Sequence, residues 1–270
     1  MLMMPRDVSS TLEVEVTART ELEFQIAVAQ LPGLTIDESL HMVLGDQRLT
    51  PDEIPAGCGG RIHRLQVGPG RLTVQYRARI EGQAEPLKAQ EYDRSRFLRP
   101  SRYAECDKFY GFVAGQFDLS RSIEQKIMDV SDFVAARLSY VPGSSDPIDG
   151  ATDTLLAGAG VCRDYAHLVV ALLRAMHIPA RLVAVYAPGC DPMDFHAVAE
   201  AIVDGEWVAV DPTWLAPRQS LVRIATGRDA ADTAFLDNHD GGIILESAVV
   251  TATVDGDLPI DQNADLIPIR

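Results

Sequence analysis

Positive charge is scarce in this sequence, and its scarcity excludes whole classes of partner. Lys and Arg number 24 against 39 Asp and Glu, for a formal charge of −15. A phosphate backbone or an anionic bilayer needs basic surface, so neither nucleic acid nor a membrane is an expected partner. Long apolar runs are missing as well. Nothing approaches the ~18 residues of a membrane span, and Met1-Leu2-Met3-Met4-Pro5-Arg6-Asp7 lacks a charged segment followed by an apolar one. The expected location is therefore cytoplasmic. Cysteine is sparse: Cys58, Cys106, Cys162 and Cys190 stand in no CxxC and no zinc spacing, and read as reduced thiols with no metal site. No calcium loop, internal repeat or low-complexity tract is present.

What is present suffices for a packed interior. Apolar residues make up 47% and aromatics 6% of 270 residues, a length comfortable for two cores. Residues 1–95 carry short alternating runs (Leu12, Val14, Val16; Leu22, Phe24, Ile26, Val28; later Leu40 to Leu44, Arg61 to Val67, Leu72 to Ile80) divided by Pro, Gly and Asp, the pattern of a β-sandwich or sheet layer. His41 and His63 lie within these runs without a partner at ligand spacing, and read as surface or packing residues. The junction is expected within Glu81 to Arg99, where Gly82, Pro86 and mixed charges interrupt the pattern. Residues 96–235 form the second unit, and 236–270 a β segment (Gly241 to Val254) with a loose or surface-laid tail. Ser101 and Glu105 suit a helix start, and Ser120 suits the N-cap of a helix striped by Ile123, Ile127, Val130, Val134 and Leu138.

The chemistry-bearing stretch is Gly160-Val161-Cys162-Arg163-Asp164-Tyr165-Ala166-His167. Tyr165, Leu168, Val169, Leu172, Leu173 and Met176 follow Val161 at the spacing of a helix with one buried stripe. Cys162 therefore falls in the first turn, where free N–H groups and the helix dipole favour a thiolate. The small residues Gly158-Ala159-Gly160 let the backbone approach closely, as an oxyanion site using the Cys162 N–H requires. Further on, Phe195 to Val203 and Glu206 to Asp211 flank Asp204-Gly205, a two-residue hairpin signal. In that register Val203 pairs with Glu206, and His196 and Asp211 share a face, which makes an oriented imidazole able to take a thiol proton. Glu200 shares that face as a supporting or a solvated residue. His167, five residues after Cys162, lies off its side of the helix. Arg163 supports a thiolate and Asp164 opposes it, so both read as loop-holding residues around the helix start.

The run 160–167, with Gly189 to Asp194, Phe195-His196-Ala197, Trp207 and Asp211-Pro212-Thr213, closely resembles the bacterial transglutaminase-like family, in the branch of transglutaminase-like cysteine peptidases. Pro100-Ser101-Arg102-Tyr103 with Asp107, Tyr140-Val141-Pro142-Gly143 and Gly227-Arg228-Asp229-Ala230-Ala231-Asp232 are similar to that branch too. The resemblance implies an α+β protein with a papain-like core behind a β-rich leader, in which Cys162 is the nucleophile, His196 the general base and acid, and Asp211 the orienting carboxylate. It places Tyr103 near the cleft, and with Tyr140 this residue is a candidate for substrate contact; Arg163, Asp164 and Glu200 are candidates for support. The implied reaction is attack on a peptide or protein amide through a thioester, without a cofactor, ending in hydrolysis. Transfer to an amine is the alternative within this chemistry, and a non-catalytic protein-binding module is the alternative outside it.

Overall fold

Alternation in the first strand sets the architecture of the leader. The computed structural model describes residues 4–262 and 265–270, so Met1-Leu2-Met3 of the opening segment lies outside the described residues. The leader strands are β1 (Arg6–Val16), β2 (Thr20–Phe24), β3 (Leu34–Leu44), β4 (Gln47–Leu49), β5 (Asp52–Pro55), β6 (Arg61–Val67) and β7 (Gly70–Gly82). Every second residue of β1 is buried, which is what a period of two demands of a strand with one face on a core. Leu12, Val14 and Val16 of β1, Leu22 and Phe24 of β2, and Leu72, Val74 and Ile80 of β7 meet in one apolar cluster.

After the leader come α1 (Glu91–Phe97), α2 (Tyr110–Gln116), α3 (Ile123–Arg137), the two-residue strand β8 (Ser139–Tyr140), α4 (Ala151–Ala157), β9 (Ala159–Gly160) and α5 (Cys162–Ala175). Next, β10 (Ala180–Tyr186), β11 (Phe195–Val203), β12 (Glu206–Val210) and β13 (Val222–Gly227) form an antiparallel sheet in the order β12-β11-β10-β13. The last strands, β14 (Leu236–His239) and β15 (Ile243–Val254), return to the leader: β14 pairs with β2, and β15 runs along β1 from Arg6↔Val254 to Val16↔Ile243. The chain is thus α+β. Tyr186, Val222, Ile224 and Ala225 of the second sheet enter the leader's cluster, and the Tyr186 hydroxyl donates to Ile26 O at 2.8 Å. The leader and the sheet carrying His196 therefore share packed residues.

Helix α5 lies at the centre of the second core. The stripe Tyr165, Leu168, Val169, Leu172, Leu173 and Met176 is buried, but so is the opposite side, including Ala166, His167, Val170 and Arg174. The expected single stripe is an underestimate because α5 is covered on both sides: α3 contributes Ile127, Val130 and Val134, and β11 contributes Ala199 and Ala201. Burying Arg174 requires acceptors, and it finds Ala180 O, Arg99 O, Ser101 Oγ and Arg228 O at 2.6–3.0 Å.

Several local expectations need correcting. The N-cap of α3 is Ser122, which accepts from Gln125 N, whereas Ser120 bonds to Asp118. Ile123, assigned to the buried stripe, is 45% exposed at the helix mouth. No helix starts at Ser101; its hydroxyl serves Arg174, and the first helical turn after it is Cys106–Lys108. The junction contains α1, whose Asp93 side chain caps the Gln90 N–H. Of the two alternatives for the tail, loose or surface-laid, the described residues take the second: Ala209 N donates to Ile267 O at 2.8 Å, Arg218 grips Asp261, and Ile269 is buried.

Candidate active site

The start of α5 is fixed by the side chain of its third residue. Val161, the N-cap, has no acceptor of its own, and Asp164 supplies one by folding back to take the Val161 N–H at 2.7 Å. Its other oxygen accepts from Ser145 Oγ at 2.9 Å. A Cβ at Gly160 would stand 2.7 Å from Asp164 Cβ, so glycine is what lets this cap close. Arg163 donates to Ser145 Oγ at 2.7 Å and Asp146 O at 3.0 Å, tying the 142–150 loop to the helix mouth. Cys162 is left half-buried in the first turn, with Sγ 4.0 Å from Phe195 O.

The hairpin supplies the second part. Asp204 and Gly205 both have positive φ (49° and 82°), as a two-residue turn of this twist requires. The register runs from Val203↔Glu206 to Ala199↔Val210, and Asp211 follows the strand end directly. His196 Nε2 and Asp211 Oδ2 are 2.7 Å apart, and both residues are buried. Asp211 Oδ1 takes the Thr213 N–H at 3.0 Å and its hydroxyl at 2.7 Å. Burial alone would lower the His196 pKa, but the charge and hydrogen bond of Asp211, joined by Cys162, lift it well above its ordinary value. Burial would raise Asp211, yet His196 and Thr213 hold its carboxyl below the ordinary range. With Nε2 engaged, Nδ1 is the ring nitrogen left for the Cys162 thiol.

The remaining sequence candidates are placed as follows. Tyr140 pairs with Gly160 across β8 and β9, and its ring lies 5.9 Å from that of Tyr165, on the Cys162 side of α5. Tyr103 stacks on His167 at 5.2 Å, and its N–H donates to Asp229. His167 is roughly 140° round the helix from Cys162. Its Nε2 accepts the Ala230 N–H, and burial holds its pKa down to about 3. Glu200 is fully buried between Arg181 and Arg223: Arg181 Nε donates at 2.7 Å, Arg223 Nη1 at 3.2 Å, and Arg223 Nη2 closes a second bridge. Burial would raise the Glu200 carboxyl, but the two guanidiniums hold it at about 2.

Sequence reasoning missed three contributors. Thr213 enters the sequence analysis only as the end of the Asp211-Pro212-Thr213 run, although an Asp that accepts from the N–H and hydroxyl two residues on is a recognisable local pattern. Ser145 carries no such signal, since its partners lie 18 and 19 positions away. Trp214, with φ 54° and 55% exposed, stands beside a cavity of about 170 Å3 lined by Asp211, Leu215, Arg218 and Asp261.

Comparison with known proteins gives the following. Residues 111–212 match the model of the Transglutaminase-like superfamily, a span that contains Cys162, His196 and Asp211. An uncharacterized protein of Mycobacterium tuberculosis (strain H37Rv) is 27% identical, over 92% of this chain and 93% of its own length. One of Mycobacterium leprae is 28% identical over 52% of this chain, and the match spans about half (53%) of that relative's length. Among solved structures, a "putative cysteine protease" from Cytophaga hutchinsonii is 29% identical and aligns over 99% of this chain and 96% of that one, with a TM-score of 0.89.

Proposed function

Starting from a chain that carries a transglutaminase-like superfamily domain and folds like a cysteine-protease relative, we propose that it is a cysteine-dependent amide hydrolase with Cys162, His196 and Asp211 as its catalytic residues. The observation that carries this reading is the buried 2.7 Å pair of Asp211 with His196, on the strand whose Phe195 O lies 4.0 Å from Cys162 Sγ. Cys162, its thiol proton passed to His196, attacks the carbonyl carbon of a peptide or protein amide, and the carbonyl electron pair moves to oxygen. The tetrahedral species collapses to a thioester as His196 gives its proton to the leaving amine. Water, deprotonated by His196, then releases the acid. Asp211 holds the ring tautomer and offsets the imidazolium charge, while Thr213 fixes Asp211.

The chemistry is assigned to residues 96–235. The β-rich segment 1–95, read as a sandwich, and the strands of 236–270 frame that unit. Hydrolysis is preferred to amine transfer because a solved structure that aligns along 99% of this chain is described as a "putative cysteine protease". Among the described residues no helix is long and apolar enough to cross a membrane, and the chemistry calls for a compartment that keeps its 4 thiols reduced, which fits the cytoplasm. Burial pushes the Cys106 and Cys190 thiols up. Iodoacetamide labelling across pH therefore tests the reading: Cys162 is expected to react first, at a pH where Cys106 and Cys190 stay silent. Labelling of all four thiols in step would remove the basis for an enzyme.

A further inference from the structure

An acyl transfer at Cys162 needs donors for the oxygen that becomes negative, and a helix start gives only one N–H at the sulfur itself. The structure offers a second group on the same side. Strand β8 runs parallel to β9 with Tyr140 opposite Gly160, and Val141 N donates to Gly160 O at 3.0 Å. This fixes Tyr140 beside the turn that leads into Cys162. Its ring rests 5.9 Å from Tyr165, which stands one helical turn after Cys162 on the same face. The residue is 39% exposed, so part of the side chain reaches the solvent-facing mouth. The other hydroxyl close by, that of Ser145, is committed to Asp164 and Arg163.

We propose that Tyr140 is a further catalytic residue, whose phenol O–H joins the Cys162 backbone N–H in stabilising the oxyanion formed at the scissile carbonyl. This rests on the reading of Cys162 as nucleophile. Burial, then the charge of the nearby Cys162, raises the phenol's pKa against a smaller lowering by the Cys162 backbone N–H, so it remains a proton donor throughout the working range. In the step concerned, the S–C bond forms, the carbonyl electron pair moves to oxygen, and that oxygen lies between the two donors until the leaving group departs. The phenol gives up no proton, and acts by hydrogen bonding alone.

Two reagents that attack the same sulfur separate this role from others. Acylation by p-nitrophenyl acetate passes through an oxyanion and releases p-nitrophenolate, whereas alkylation by iodoacetamide displaces iodide with no oxyanion. Rates at Cys162, located by peptide mass spectrometry, are compared in the wild type and in Tyr140→Phe, which keeps the ring against Tyr165. The expected result is acylation slowed on the order of 10²-fold, the cost of losing one oxyanion donor, with alkylation unchanged. Unchanged acylation in the variant, or a parallel fall of both rates, would overturn the role given to the hydroxyl while leaving the nucleophile standing. A wild-type Cys162 no faster than the other thiols with either reagent would sink the nucleophile reading and this inference together.

Discussion

His196 and Glu200 stand four residues apart on one face of β11, and both are buried, yet they are built for opposite ends. Glu200 is closed: Arg181 lies directly across the strand pair and Arg223 one strand further, so both carboxylate oxygens are taken by guanidinium groups. Arg181 is itself capped by the Trp207 ring, 3.7 Å away. His196 has one nitrogen held by Asp211, and Cys162, half-buried beside Phe195 O, lies near its other side. A buried ion whose bonding capacity is filled holds the sheet together; one with a site left over can move a proton. The difference lies in the number of partners rather than in burial or strand position.

That comparison can be broken at graded cost. Cys162→Ala should abolish amide hydrolysis, a loss on the order of 10⁶ in kcat of the kind seen when a member of a catalytic unit is removed, with the urea midpoint close to wild type. A folded but active Cys162→Ala protein would empty the His196 half of the comparison. Asp211→Asn should lower kcat by up to the order of 10⁴-fold, because a neutral amide no longer offsets the imidazolium charge and can turn its NH2 toward Nε2, which selects the wrong tautomer.

The same substitution has a pH signature in stability. The contribution of His196, whose pKa is raised, is complete below its unfolded value of about 6.5 and fades as pH rises through the folded value. The contribution of Asp211, whose pKa is lowered, is complete above about 3.9 and fades as pH falls through the folded value. Wild type and Asp211→Asn should therefore differ most in urea stability between about pH 4 and pH 6.5. A gap that widens toward pH 9 would contradict the buried ion pair.

Glu200→Gln tests the closed cluster. It leaves two buried guanidiniums without their counter-charge and should cost ~3–5 kcal/mol of stability, read from the urea midpoint, while leaving Cys162 labelling intact wherever the variant is folded. Altered labelling with unaltered stability would erase the distinction drawn between the two residues. The smallest effect is expected of Thr213→Val, which removes one charge-assisted hydrogen bond to Asp211 and should cost ~1.5–3 kcal/mol, with a modest fall in kcat.

Much of the site was legible because it depends on short-range periodicity. The α5 stripe and the Asp204-Gly205 turn each lie within a window of a few residues, and the turn fixes register outward to Asp211 by counting. Legibility fell where a partner is remote or a signal is duplicated. Ser120 and Ser122 are both plausible caps, and only the completed turn chooses between them. Helix α1 spans 7 residues, too few for a stripe to stand out from the charges around it. The tail reads as loose or surface-laid with no partner named, but Asp261 meets Arg218, 43 positions away.

The sequence by itself determined that Cys162 opens a helix and that His196 and Asp211 share a hairpin face, since helical and strand periods are properties of neighbouring residues. Only the tertiary structure decided that the helix mouth reaches that hairpin, that Arg181 and Arg223 close on Glu200, and that β15 returns to β1 across more than two hundred residues. Those outcomes depend on which buried surfaces and charges satisfy one another in the packed chain, and a local pattern does not name its distant partner.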